Sequence, residues 1–319
     1  MRGRCVLVGV VLIAAAIAAS VSASAPTPLC GSRSTVAPAR VRHVVWVFME
    51  NKTADAVVHS HSTPYIASLA TRCGLATNYH NITHPSLPNY LAATSGGTHG
   101  VTSDCQPSHC AQSGGSIFAQ VDAAHLTWRS YVESMPSSCD QQNASPYATK
   151  HNPAAYYTAL RAACAKDDVP LEGSDNGLLH DLSADTLPTF SLIVPNSCDD
   201  MHSCPPKAGD AWLSSWIPRI TATASYLSGQ TVVFITWDEG DVHTPTATAG
   251  ESCPANATDP SCHVAMLVLS AGTPRGARDS QPYDHYSLLK TTEQLLQLRG
   301  RLGHAAASQT RSMVTAFHL

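Results

Sequence analysis

The chain has 319 residues, of which 44% are hydrophobic and 13% charged. This balance suits a folded core and excludes a disordered or polyelectrolyte chain. Nineteen Lys and Arg stand against 23 Asp and Glu, a net charge of −4; general nucleic-acid binding, which needs Lys and Arg to neutralise phosphates, is excluded as a first reading.

At the N-terminus, Arg2 and Arg4 precede an unbroken apolar run over residues 6–19 and a small-residue stretch, Val21-Ser22-Ala23-Ser24-Ala25. This three-part pattern predicts a cleaved secretion signal over 1–25, with a single mature domain over 26–319 and an extracellular location. The alternative is an uncleaved anchor, but the run is short of the roughly 20 residues a spanning helix needs. No later segment predicts membrane insertion. Of eleven cysteines, Cys5 lies in the leader. The even remainder predicts disulfides in an exported chain. Short spacings suggest Cys105–Cys110, Cys198–Cys204 and Cys253–Cys262. Cys139–Cys164 and Cys30–Cys73 would follow by elimination, although spacing leaves the connectivity open. A zinc cluster is the competing reading and lacks the tight CxxC spacing.

Val41–Met49, rich in β-branched and aromatic residues, predicts a buried strand. Helices are expected over 64–71, 88–94 and 116–125, then a strand over 127–132 and a helix over 153–164. A strand over 189–194 precedes a helix over 210–227 that should bend or break near Pro218. Strands over 231–237 and 263–269 and an amphipathic helix over 286–298 complete the pattern. The alternation predicts an α/β fold with a mostly parallel central sheet, helices on both faces and disulfide-stapled loops.

Ligands of open α/β sheets bind at the carboxyl ends of the strands. The first strand runs into Glu50 and Asn51, the 189–194 strand into Asn196, Asp199, Asp200 and His202, and the 231–237 strand into Asp238 and Glu239. Carboxylates crowded on one edge repel one another unless a hard cation is held between them. Glu50, Asn51, Asp238 and Glu239 are therefore the candidate ligands of a divalent metal ion of undetermined identity. Ser86, just before a helix expected to start near Pro88, would place a bound phosphate at that helix's N-terminus. A metal beside its hydroxyl would make it nucleophilic. The alternative is a serine that only caps the helix.

Six segments resemble one family in the correct order: Glu50-Asn51, His84-Pro-Ser-Leu-Pro-Asn89-Tyr90, Pro195–His202, Gly209–Leu213, Trp237-Asp-Glu239 and Asp284-His285-Tyr-Ser-Leu-Leu. This family of secreted phosphoesterases joins phosphatidylcholine-type phospholipases C with acid phosphatases. The resemblance is greatest to actinobacterial secreted acid phosphatases, one branch of which acts on phosphatidylinositol 3-phosphate. It implies an alkaline-phosphatase-like core and a phosphate-ester substrate, with a phosphoinositide lipid as one candidate. It also implies catalytic roles for Ser86, which would become phosphorylated, and for His202 and His285. Substrate contacts are implied for Asn51 and Asn89 and, through a Lys-His-x-Pro element at 150–153, for His151. His84, two residues before Ser86, would either reach the phosphate or brace the loop. Ser86 and Tyr90 stand where the phospholipase branch has Thr and Arg, which favours the phosphatase. His243, in an insertion over 243–262, departs from the family pattern. A phosphodiesterase on the same scaffold and a non-catalytic binding protein are the competing readings.

Overall fold

The computed structural model describes Met1, Gly3 and residues 28–241, 253, 254 and 257–319. Apart from Met1 and Gly3, the expected leader lies outside the described residues, as does His243. The apolar β-branched runs become the central strands. In chain order the strands are β1 (His43–Met49), β2 (Gly74–Ala76), β3 (Tyr79–His80), β4 (Trp128–Val132), β5 (Asp168–Pro170), β6 (Phe190–Val194), β7 (Thr231–Trp237), β8 (Met266–Leu269), β9 (Arg278–Asp279) and β10 (Tyr283–Asp284). Eight form one sheet in the order β5-β4-β6-β1-β7-β8-β2-β9, and β10 pairs with β3 in a small second sheet.

β1 lies at the centre, parallel to β6 on one side and β7 on the other. β6 and β7 are buried along their whole lengths, and β1 is buried from Val44 onward. Strands covered on both faces carry continuous apolar runs, which is why they are legible in the sequence. The sheet is mostly parallel, as expected. β8, inside the strand expected over 263–269, is antiparallel to both β7 and β2.

The helices form two groups. Ser86–Ser95 packs on His285–Leu295, and Pro64–Arg72 packs on Pro206–Thr221. Trp46 and Phe48, two residues apart, share one face of β1. The Trp46 indole donates to Thr292 Oγ1 at 2.9 Å, and the Phe48 ring meets Tyr90 and His285 at 5.3 and 5.6 Å. Asp210 accepts from the backbone N–H of Tyr65 and Ile66 at 3.2 and 2.8 Å. One helix thus caps the free N–H groups of another, where Thr63 makes no side-chain cap.

Some boundaries differ. The helix expected from Pro88 begins at Ser86. The expected bend at Pro218 is displaced: the helix runs through it to Thr221 and breaks before Ala224–Leu227. A proline so near the end forfeits little of the backbone ladder. The 153–164 helix divides into two short 3-10 turns and an α-helix over Arg161–Asp167. All five expected cysteine pairs are bonded. Among the described residues, no helix is long and apolar enough to cross a membrane.

Candidate active site

Register builds the site. Met49 pairs with Trp237 across β1 and β7, so Glu50 and Asp238 leave the sheet side by side. Asn51 turns the chain in the left-handed region, at φ +50°, which asparagine tolerates better than most residues. Its backbone N–H donates to Asp238 Oδ1 at 3.2 Å and its side-chain amide to Glu50 Oε2 at 3.3 Å. The third strand end joins through the Glu50 N–H, which donates to the Asp200 carbonyl at 2.8 Å.

Ser86, the first residue of its helix, is buried, and its hydroxyl donates to Glu50 Oε2 at 3.1 Å and to Glu239 Oε1 at 3.3 Å. Its helical N-terminus turns the positive end of the helix dipole toward the hydroxyl, although the Leu87 N–H is already held by Asp104 and Pro88 carries none. His84 reaches the same cluster through Nδ1, 2.5 Å from Glu239 Oε2. Its other ring nitrogen lies 3.2 Å from Ser261 Oγ and 3.6 Å from Cys253 Sγ. His84 therefore braces Glu239 rather than standing free toward a substrate.

Burial alone would raise the Glu50 carboxyl, but the His151 ring against it, with Lys150 and Tyr90, holds it down at about 2. Burial opposes the charged form of His151, yet Glu50 and Asp200 on its two sides push it up to about 9. His151 lies 3.2 Å from each of these carboxylates, through Nε2 and Nδ1 respectively. Tyr90 donates to Glu50 Oε1 at 2.7 Å and stacks on His151 with centroids 5.6 Å apart. His202 stands at the solvent edge, its ring centroid 5.6 Å from that of His151 and its Nε2 3.3 Å from Lys150 Nζ. Lys150 is anchored by Asp104 Oδ2 at 2.8 Å, while Asp104 Oδ1 accepts from the Leu87 N–H at 3.0 Å.

Two expected roles do not fit their surroundings. The motif of His285 implies a catalytic role, but the residue is wholly buried, and burial pushes it down to about 4. Its Nε2 donates to the Asp238 carbonyl at 2.7 Å, and Nδ1 accepts from the Tyr79 hydroxyl at 2.9 Å. It is a neutral prop beneath the carboxylates. The motif of Asn89 implies contact with substrate, yet its amide is consumed by the loop before Ser86. Its oxygen accepts from the N–H of Ile82 and Thr83, and its nitrogen donates to the carbonyls of Thr83 and Pro85. It shapes the Ser86 loop from beneath.

The four expected metal ligands, Glu50, Asn51, Asp238 and Glu239, gather around Ser86. Burial, reinforced by Glu50 and Glu239, pushes the Asp238 carboxyl well above its ordinary range. Asp238 Oδ2 is buried with no hydrogen-bond partner. An orphaned carboxylate oxygen beside two further carboxylates is the donor set a hard divalent cation satisfies. Glu50, His151 and His202 also bring ligand atoms within 4.8 Å of one another. There the Lys150 ammonium beside His202 opposes a cation and suits an anion.

Sequence reasoning assigns no role to Asp104, Tyr90 or Asp200. Asp104 reaches Leu87 across 17 positions and Tyr90 reaches Glu50 across 40. Asp200 carries one signal, its place at a strand end.

The fold and the carboxylate-rich strand ends define an alkaline-phosphatase-like α/β protein. Among solved structures, a protein of the alkaline phosphatase superfamily from Vibrio parahaemolyticus superposes with a TM-score of 0.57, at 12% identity, over 91% of this chain and 74% of that one. The phosphoesterase family profile matches residues 57–299, and the chain belongs to the phosphoesterase family. Its relatives include a phosphatidylinositol-3-phosphatase of Mycobacterium tuberculosis, 28% identical over 88% of this chain and 86% of the relative. An acid phosphatase of Aspergillus fumigatus is 25% identical over 76% of this chain, which spans only 52% of that relative's length.

Proposed function

We propose that the chain is a secreted acid phosphatase, a phosphoric monoester hydrolase that works through a phosphoserine on Ser86. The observation that carries this reading is the buried Ser86 hydroxyl at a helix N-terminus, 3.1 and 3.3 Å from two carboxylates. The relatives named phosphatases support the reaction class, and the bonded cysteines support an exported protein. The mycobacterial relative's name makes a phosphoinositide a candidate substrate.

Glu50, Asn51, Asp238 and Glu239 would hold a divalent metal ion, which when bound neutralises phosphoryl charge and lowers the pKa of a nearby hydroxyl. The remaining chemistry belongs to side chains. Ser86 Oγ attacks phosphorus as its proton passes to Glu239 Oε1, 3.3 Å away, and the bond from phosphorus to the alcohol oxygen breaks. His151, Lys150 and the helix N-terminus offset the charge of the phosphoryl oxygens. His202 donates a proton to the departing alkoxide, then takes one from the water that releases phosphate.

The test is phosphate release from p-nitrophenyl phosphate between about pH 4 and 9 by the mature protein, with and without chelator, beside Ser86→Ala. Turnover greatest on the acid side and lost in the variant is expected. Equal turnover in Ser86→Ala would remove the covalent step, and release only from choline-phosphate diesters would replace the monoesterase by a phosphodiesterase.

A further inference from the structure

Asp104, beside the Cys105–Cys110 disulfide, stands at the mouth of the site. Its side chain and that of Lys150 are 28% and 24% exposed, and both line a cavity of about 280 Å³ with His151 and His202. Resting on the phosphatase reading, we propose that Asp104 is a specificity residue that sets the charge of the phosphoryl group the site accepts. It favours a group with one negative charge over a group with two. For a phosphate monoester the favoured form has one oxygen protonated, and it prevails below about pH 6.

Three observations carry this. First, Asp104 shares the two groups best placed to offset phosphoryl charge. Its Oδ1 accepts from the Leu87 N–H at 3.0 Å, and its Oδ2 accepts from the Lys150 ammonium at 2.8 Å. Leu87 follows Ser86 directly, so one carboxylate spans the helix end and the cation. Beyond Lys150 stands His202, 3.3 Å from the ammonium nitrogen. Secondly, the other cation is committed as well. His151 lies 3.2 Å from Glu50 on one side and 3.2 Å from Asp200 on the other. Lys150 and His151 are thus both balanced by carboxylates before a substrate arrives, which suits a ligand of low charge. Thirdly, the charge of Asp104 reaches the centre of the site. Burial pushes the Glu239 carboxyl up, against the pull of His84, and the charges of Glu50 and Asp104 add to the rise. A charge felt at Glu239 is felt by a phosphoryl group at Ser86, whose hydroxyl lies 3.3 Å from Glu239 Oε1. Repulsion grows in proportion to ligand charge, so Asp104 penalises a dianion twice as strongly as a monoanion.

The test uses two tetrahedral oxyanions of nearly equal size and fixed charge: tungstate carries two negative charges and perrhenate one. Their dissociation constants are measured by calorimetry at neutral pH on the purified mature protein and its variants. Asp104→Asn keeps an oxygen for the Leu87 N–H and removes the charge. It should tighten tungstate relative to perrhenate about tenfold. Asp104→Glu, which keeps the charge, should stay nearer the wild-type ratio, and Lys150→Met should move the ratio the opposite way. An unchanged ratio in folded Asp104→Asn overturns the charge filter. A shift toward perrhenate overturns it too, since Asp104 would then serve to present Lys150 to the phosphoryl group. Phosphate release from p-nitrophenyl phosphate is read on the same samples. Release by a wild type that binds neither anion also overturns the filter and leaves the phosphatase standing. No release by the wild type overturns the phosphatase reading whatever the anion ratio, so the two failures are distinct.

Discussion

His84 Nδ1 lies 2.5 Å from Glu239 Oε2, and Glu239 Oε1 lies 3.3 Å from the Ser86 hydroxyl. The histidine two residues before Ser86 therefore meets it through a carboxylate that follows β7. On its far side the ring rests against Ser261 and Cys253, so a disulfide-bonded segment supports the pair from behind.

His84→Ala should leave Glu239 without its partner and free to rotate away from Ser86. Loss of such a supporting hydrogen bond lowers activity about 10- to 100-fold. The effect should fall on kcat more than on KM, with partial recovery in His84→Gln. Steady-state kinetics with circular dichroism as a fold control checks this; an equal loss in the Gln variant would deny the hydrogen bond its role.

Tyr90→Phe keeps the ring that stacks on His151 and removes only the hydroxyl that donates to Glu50 at 2.7 Å. Glu50, a proposed metal ligand, then becomes less firmly oriented. The concentration of divalent ion that restores half-maximal activity after chelation should rise about tenfold. Metal titration of the stripped protein reads this directly.

The two candidate histidine acids should separate under pH. Burial pushes His202 below its ordinary value, so its protonated fraction grows only as pH falls below about 6.5. The wild-type rate on alkyl phosphates should rise over that acidic limb, and the rise should disappear in His202→Ala. Esters with strongly acidic leaving groups need less proton donation and should lose less rate. His285→Gln should act differently, lowering Tm through its lost bonds to Tyr79 and Asp238 and leaving the shape of the pH profile intact.

Stability should favour acid. Asp168 is wholly buried, and burial pushes it up to about 7 despite its bond from Asn152. An acid raised in the folded state is protonated there while the unfolded chain ionises near 4. Its contribution is therefore complete below about pH 4 and is lost as pH rises toward 7. Tm of the chelated protein should decline across that window, and Asp168→Asn should flatten the decline. Thermal scans in matched ionic strength test it.

The central strands and the polar residues at their carboxyl ends were legible in the sequence. A strand buried on both faces must be a continuous apolar run, and the residues directly after it must emerge at one edge of the sheet. That logic reached Glu50, Asn51, Asp238 and Glu239 without any tertiary contact. The Ser86 loop was legible as well, because Pro and Ser before a helix carry local backbone meaning. The small strands β2 and β5, three residues each, were not, since pairing rather than periodicity defines them.

Roles inside the site needed the tertiary structure. His151, His202 and His285 are the same residue type in comparable motif positions, yet one lies between two carboxylates, one stands at the rim and one is sealed beneath the sheet edge. Their charge states diverge because burial and neighbouring charge, both long-range properties, set a pKa. Asn89 shows the same limit: its motif suggests substrate, and its four backbone contacts make it a brace. Local sequence determines which side chains leave a strand or open a helix; the packing of distant segments decides which of them are charged, propped or free to meet a substrate.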